Sequence, residues 1–500
     1  MATVAPDLPI TTAPPPAPAA NPPTATAPAA AAAADQPPPA PPPVPVQVQP
    51  LNPLDAFSAG RDTGLGADLW KGSSAALARA VIPTLIDHPL SPAGAALALR
   101  VLGAAAAAPE GAGGDAELAA ARARALLALG DAAEAGMILD RTAGLTNSAA
   151  LSQTAAEAAL IGDQDDKACA IGDALAVDRG GAYWLKLRAF CQARAGKPAA
   201  QLTATLADEQ GPDPVFDRLI AVIIAGAGDP GPASLANGLD YAMSQQLKLD
   251  LTPALADAAP PIAEHLASAS AGVGAAPAGA PLPVEADLVA GLRKASTAAG
   301  FKAASRLALP GIVQLVQAKA PLQNPVQLAA AALAAGDLAT AKAIRASLTG
   351  DTIPGADSTD LAILDAALAV AGAVADGPTL DRLVERGVGS DPKAVRAQAA
   401  AAFVLALDWP ANGPSRAAFA DFPLAHGDAA PARLMLLDAV ADAGIRGDAA
   451  LVAVSAAEPG GAEGPAPADR AWLIRDLERV GLKTDAQGFA IEGLLGLESR

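Results

Sequence analysis

A glycine followed by a polar residue recurs at a nearly constant interval in the first half of this chain, and this spacing constrains the fold most. The interval is 32, 34 and 32 residues along the series Gly130, Gly162, Gly196 and Gly228. An apolar helical stretch precedes each glycine. Glycine ends a helix by adopting a left-handed conformation, and an aspartate after it caps the next helix. The repeat therefore predicts a series of antiparallel helix hairpins.

The second half of the chain and the overall composition extend this prediction. The glycine pattern returns more loosely at Gly336, Gly377, Gly413 and Gly447. A small residue five positions after the glycine lets two helices pack closely, and Ala135, Ala233 and Ala341 occupy that position. The apolar fraction is 52%, yet only 8 Phe, 4 Trp and 2 Tyr are present. Because alanine favours helices and disfavours strands, we expect an all-α fold, a right-handed solenoid or two solenoid halves of stacked hairpins.

Two segments resemble the tetratricopeptide repeat family. LLALGDAAEAGMIL at 126–139 and AAALAAGDLATAKAI at 330–344 are similar to its helix–Gly-Asp–helix core. Trp184, Leu187 and Gly196 also resemble its first-helix pattern, although alanine replaces most of the family's larger aromatic residues. The resemblance covers about 115–245 and 325–460. It implies a solenoid of helix pairs that holds peptides or partner proteins on a concave face, and no binding residue of the family can be carried over.

A weaker similarity joins the chain to alanine-rich α-proteobacterial proteins of unknown function, some of which are labelled "antifreeze glycopeptide". The similar segments are Gly64–Ser74, the region around the two cysteines, and Leu482–Leu494. Only TATAPAAAAAA at 24–34 is similar to the Ala-Ala-Thr repeats of antifreeze glycopeptides. Ice binding requires a regular threonine array, and the sequence predicted to fold contains none.

Composition shifts divide the chain into four predicted regions. Residues 1–53 are rich in proline and alanine and predict a disordered tail with polyproline II character. Such a tail serves as a spacer or as a ligand for an aromatic groove. Residues 54–266 and 285–500 predict an N-terminal and a C-terminal helical-repeat solenoid. A Gly/Ala/Pro linker at 267–284 is expected between them.

The charge of the chain and its lack of known motifs limit the kinds of partner and cofactor that we expect. The net charge is −18, and no basic run exceeds Arg293-Lys294, so we expect a protein or peptide partner and no nucleic acid. No apolar run predicts a membrane span, and 1–10 lacks the features of a secretory signal. No phosphate-binding or dinucleotide-binding glycine motif is present, and no cofactor is expected. The histidines His88, His265 and His426 are scattered and predict no metal site.

Two pairs of residues are singled out as candidate sites. Cys169 and Cys191 lie eleven residues to either side of Gly180, in consecutive predicted helices. In an antiparallel hairpin they fall at the same level, as a disulfide or as two buried thiols. Trp70 and Lys71 follow the predicted tail and are candidates for partner contact or for capping the first turn of the solenoid.

These observations favour a non-enzymatic interaction scaffold that binds a basic or extended peptide. The alternative is a structural or assembly component of the bacterial cell envelope, tethered by the Pro/Ala-rich tail. A disulfide and a tether favour the periplasm, whereas the absence of a recognisable signal favours the cytoplasm. A third hypothesis is a hydrolase with an unidentified carboxylate, which would require a buried acid of raised pKa in a pocket.

Overall fold

The computed structural model describes residues 57–210, 212–271, 282–348 and 353–497, and this part of the chain is all-helical. It contains no β-strand, and two isolated bridges pair Arg61 with Ala104 and Ser74 with Glu110. The predicted tail at 1–53 lies outside the described residues, and so do residues 272–281 of the predicted linker.

The described residues contain twenty-three α-helices and four short 3-10 helices. The α-helices are α1 (Ala75–Val81), α2 (Pro92–Leu102), α3 (Ala116–Ala128), α4 (Ala132–Asp140), α5 (Ala149–Ile161), α6 (Asp165–Ala174), α7 (Ala182–Arg194), α8 (Ala200–Gln210), α9 (Pro214–Ala225), α10 (Gly238–Gln246), α11 (Pro260–Ala271), α12 (Glu285–Arg293), α13 (Ala298–Gln317), α14 (Pro325–Ala334), α15 (Leu338–Ser347), α16 (Ser358–Ala371), α17 (Gly377–Arg386), α18 (Pro392–Leu405), α19 (Gly413–Phe419), α20 (Pro431–Asp442), α21 (Arg446–Ala457), α22 (Pro467–Arg479) and α23 (Lys483–Gly496). The 3-10 helices are Ile82–Ile86, Leu145–Asn147, Thr252–Asp257 and Glu458–Glu463.

The Gly-Asp signal marks a helix junction where the sequence predicts it at two sites. Gly130 has a φ of 97°, and the Asp131 carboxylate accepts a hydrogen bond of 2.9 Å from the Glu134 N–H. Gly336 and Asp337 form the same junction, with a φ of 92° and a 2.9 Å bond from the Thr340 N–H. The alanines five positions after these glycines, Ala135 and Ala341, are fully buried, as expected for closely packed helices.

Gly336 aside, the looser glycine pattern of the second half is wrong as a set of helix ends. Gly377 and Gly413 are the first residues of α17 and α19, because the proline after each fits the first turn of a helix. Gly447 lies inside α21. Ala233 of the first half lies in the loop before α10 and packs no helix pair.

Helices that follow one another in sequence pack together through most of the chain. This holds from α3 to α7 and again from α12 to α18. Neighbours also pack together from α20 to α23, and in addition α22 packs on α18 and α23 packs on α16. Both predicted solenoid regions, 54–266 and 285–500, belong to one compact unit rather than to two separate bodies.

The first helices pack against the last ones and close the unit. Helix α1 contacts α21, and α2 contacts both α21 and α23. The Gly447 N–H donates to the Leu69 carbonyl at 3.0 Å, and a Cβ at Gly447 would lie 2.5 Å from the Trp70 ring. Only glycine therefore permits this approach. Sequence reasoning missed the closure because a repeat reports contacts between neighbours and not between distant helices.

Ion pairs and hydrogen bonds reinforce the closure. Arg446 donates to both carboxylate oxygens of Asp68 at 3.0 Å, and the Ala93 N–H at the start of α2 donates to Glu492 of α23 at 2.6 Å. Arg100 of α2 also pairs with Asp485 of α23. A negative carboxylate at a helix N-terminus is favoured by the helix dipole, so Glu492 caps α2 from the far end of the chain.

Two arginines are buried beneath this interface. Arg470 pairs with Glu492 at 2.8 Å, and their side chains are 5% and 7% exposed. Arg122 donates to the carbonyls of Leu102 at 2.6 Å, Ala104 at 3.0 Å and Ala59 at 3.1 Å. The Leu102 and Ala104 carbonyls lie at and just beyond the C-terminus of α2, where a cation is favoured. Each guanidinium thus replaces lost hydration with fixed protein partners.

Replacing Arg470 with Met should lower the free energy of unfolding by about 3–5 kcal/mol, because Glu492 then stays buried without its partner. Urea denaturation followed by circular dichroism measures the loss. The matched control is Arg306→Met, since Arg306 is 53% exposed and pairs with Glu264, which is 51% exposed, for a cost of about 1 kcal/mol or less. Equal losses in the two variants would contradict this account.

Candidate functional site

The two cysteines are joined by a disulfide between α6 and α7. Cys169 lies in α6 and Cys191 in α7, and their Cα atoms are 5.7 Å apart. Their equal distance from the turn at Gly180 places them at one level of this hairpin. The bond links two consecutive helices at the edge of the core cluster that contains Trp184, Leu187 and Phe190.

Trp70 belongs to the core. Its side chain is 2% exposed and meets the Phe57 ring edge to face, with ring centroids 5.7 Å apart. The prediction that Trp70 contacts a partner is therefore corrected: its ring is occupied by Phe57 and by the Gly447 backbone of α21. Lys71 is exposed beside it. Trp70 lies just before α1, at the start of the helical unit, where the sequence predicts its alternative role of capping the first turn.

Trp472 is the exposed tryptophan of the chain. Trp70, Trp184 and Trp409 are 5% exposed or less, whereas Trp472 is 40% exposed. Its indole lies on α22, outside the fully buried stripe formed by Leu473, Ile474 and Leu477. The Arg475 guanidinium stacks on the indole at 3.9 Å from the ring centroid. The 3.6-residue period of α22 could have identified Trp472 from the sequence, because the ring falls beside its apolar stripe.

A groove runs beside Trp472 between α18, the segment 419–426 and α22. We call it the Trp472 groove, and its volume is about 540 Å³. Alanine and leucine side chains of the helices form its floor, and aromatic rings form its walls. Its lining residues are Ala402, Leu405, Ala406, Asp408, Phe419, Phe422, Pro423, Leu424, His426, Ala468, Ala471, Trp472 and Arg475.

The aromatic wall is held in place by packing. Phe419 and Phe422 meet edge to face at 5.4 Å, and the Phe422 ring lies directly against Gly387 at the end of α17. A side chain at Gly387 would displace that ring, since a Cβ there would lie 2.7 Å from it. The groove is thus a preformed feature of the fold.

Carboxylates fix the arginine that covers Trp472. Arg475 donates to Asp438 of α20 at 2.7 Å and to Asp476 at 3.0 Å. Arg479, one turn further along α22, holds the pKa of Asp438 below its usual value, whereas burial raises the pKa of Asp476. The same pairing joins α20 to α22.

A second cluster of acids lies between α5 and α10. The Glu157 carboxylate accepts from the Gly238 N–H at 2.8 Å, and Asp240 accepts from the Ser234 hydroxyl at 2.8 Å. Burial raises the pKa of both carboxyls. Each carboxylate accepts a hydrogen bond from a group at the start of α10 or in the loop before it. These bonds hold α10 and its loop in place. None of the residues that line the Trp472 groove belongs to this cluster.

The described residues contain no cluster of three or more His, Cys, Asp or Glu that could hold a metal ion. Each histidine lies near one carboxylate: His88 near Glu458 at 3.7 Å, His265 near Asp163 at 3.2 Å, and His426 near Asp469 at 3.9 Å. Within the same part of the chain, no helix has the length and apolarity needed to cross a bilayer.

No protein-family model, curated protein or solved structure matches this chain. Its function is therefore argued from its own residues.

The raised pKa of Glu157 predicts a pH dependence of stability. The folded state binds more protons than the unfolded state between the unfolded pKa, about 4.3, and the higher folded value. The stability of the native chain relative to Glu157→Gln should therefore fall as pH rises from about 4 to 7. Urea denaturation of both proteins across this range measures the difference, in which titrations common to both cancel. A difference that grows with pH would contradict the prediction.

Proposed function

We propose that this protein is a non-enzymatic scaffold of stacked antiparallel helix hairpins, a solenoid closed by its first and last helices. It binds an extended peptide segment of a partner protein in the Trp472 groove. The packing of sequence neighbours from α3 to α7 and from α12 to α18 supports the solenoid. The groove supports the binding role.

The observation that carries this proposal is the exposed indole of Trp472 beneath the Arg475 guanidinium. Tryptophan and arginine are the residues most enriched in the energetic centres of protein interfaces. Here both stand beside Phe419 and Phe422, in a chain with only 4 Trp and 8 Phe. Because apolar surface in water is unfavourable, such a concentration of exposed aromatic area is typical of an interaction site.

The charges around the groove favour a basic peptide. Asp408 lines the groove, and Asp421 stands exposed next to Phe422. Arg475 is neutralised by Asp438 and Asp476, and the whole chain carries a net charge of −18. A lysine or arginine in the bound segment would meet these carboxylates, while its apolar neighbours would pack on the rings.

The proposal gives Glu157 and Asp240 a structural role. Their carboxylates accept from the Gly238 N–H and from the Ser234 hydroxyl around the start of α10. The hydrolase hypothesis requires an acid of raised pKa that lines a pocket, and neither residue lines the Trp472 groove.

Exchange of Trp472 for Ala should abolish peptide binding without unfolding the protein. Peptides are selected from a display library against the intact chain, and their dissociation constants are then measured. We expect a loss of about thirtyfold or more with Trp472→Ala, because a central interface residue contributes about 2 kcal/mol or more. Val388→Ala, which also truncates an exposed apolar side chain, is the control. Selected peptides that bind Trp472→Ala as well as the native chain would refute the proposal.

A second candidate function is a structural component of the bacterial cell envelope, located in the periplasm. The Cys169–Cys191 disulfide favours it, because such bonds persist in oxidising compartments. The Pro/Ala-rich segment at 1–53 would act as its tether.

This location predicts that neither cysteine is alkylated when cells are fractionated and treated with a thiol reagent before reduction. The intact mass should show no added label, and two labels after reduction. The Cys191→Ser variant should show one label without reduction, because Cys169 loses its partner. Two labels on unreduced native protein in the cytoplasmic fraction would remove the envelope candidate.

A further inference from the structure

A separate cavity lies where four helices from distant parts of the chain meet. Helices α2, α13, α14 and α23 line a space of about 180 Å³ that is open to solvent on one side, and we call it the four-helix cavity. Its wall is mostly apolar and includes Phe301, Leu333, Ile491 and Leu495. The Trp472 groove contributes none of its residues.

One cation of the cavity wall is left without an ion-pair partner. Arg470 neutralises Glu492 at 2.8 Å, and Arg306 pairs with Glu264 at 3.5 Å. In the described part of the chain, no carboxylate lies within 4.0 Å of the Lys302 ammonium, which is partly buried at the wall. Burial, and then the nearby Arg306, lower the pKa of Lys302, and the more distant charges of Glu492 and Glu264 offset this only in part. Desolvation of an ammonium without a counter-ion is unfavourable, so an anion would relieve it.

We infer that the four-helix cavity binds a small amphiphilic carboxylate, with its alkyl chain among the apolar side chains and its carboxylate on the Lys302 ammonium. An apolar cavity of about 150 Å³ in another protein holds one benzene molecule. A space of about 180 Å³ therefore fits a chain of about six to eight carbons. Glu492 also lines the cavity, but its charge is paired with Arg470. Among the described lining residues, Lys302 is therefore the charge that a carboxylate would neutralise and that an alcohol or an amine would not.

Such a ligand would also stabilise the closure of the fold. The cavity takes its wall from α2 near the start of the described chain, α13 and α14 in the middle, and α23 at the end. A molecule bound there touches all three regions at once. Because it binds only the closed state, it raises the unfolding temperature, and the rise continues with the logarithm of its concentration above the dissociation constant.

The test uses octanoate as the probe, measured by titration calorimetry and by thermal unfolding of the full chain. We expect octanoate to bind and to raise the unfolding temperature, and affinity to rise about fourfold per methylene from butanoate to octanoate. Lys302→Gln should weaken octanoate at least tenfold and leave 1-octanol unchanged. Lys294→Gln, which removes an exposed lysine in the same region, is the matched control.

A second variant distinguishes loss of the cavity from loss of folding. A Cβ at Gly488 on the cavity wall meets no atom within 4 Å, so Gly488→Leu should fill the space and still fold. Octanoate should no longer bind this variant or raise its unfolding temperature. The inference is overturned if octanoate fails to bind the native chain, if Lys302→Gln binds it as tightly, or if Gly488→Leu retains binding.

Discussion

The close approach of the first and last helices is the contact on which the rest of the structure depends. It rests on Gly447, whose backbone lies against the Trp70 ring and the Leu69 carbonyl. Around this point, Glu492 caps α2 and pairs with buried Arg470. Arg122 donates to the Leu102 and Ala104 carbonyls at the other end of α2. Helix α2 is thus held at both termini by charged groups, and through it the two ends of the described chain become one unit.

An alanine-rich core explains both the close packing and the position of the candidate sites. Alanine side chains let helices approach closely but bury little apolar area each, so the larger residues contribute most of the burial where they occur. Trp70 and Phe57 serve the closure, and Trp184 and Phe190 serve the cluster beside the disulfide. Trp472, Phe419 and Phe422 instead line a groove, and we interpret their partial exposure as binding surface.

Local structure could be predicted from the sequence, whereas most tertiary contacts could not. Helix class, the junctions at Gly130 and Gly336, and the level of Cys169 with Cys191 follow from local pattern. Its position after the tail drew attention to Trp70, whose burial contradicts a partner contact, whereas Trp472, beside the apolar stripe of α22, is exposed. The closure could not be predicted: Ser74 and Asp448, which bond at 3.3 Å, lie 374 residues apart, and no repeat reports such a pair. The four-helix cavity forms only where the closure brings α2 and α23 together, so it could not be predicted from the sequence either.

The central claim is that the described chain is one closed unit, and native-state hydrogen exchange tests it most directly. The account predicts that core amides of α2 and of α23 open with the same free energy and the same dependence on denaturant, because neither helix can leave without the other. Exchange of the α2 amides through a separate opening of much lower free energy, with α23 still protected, would contradict the claim.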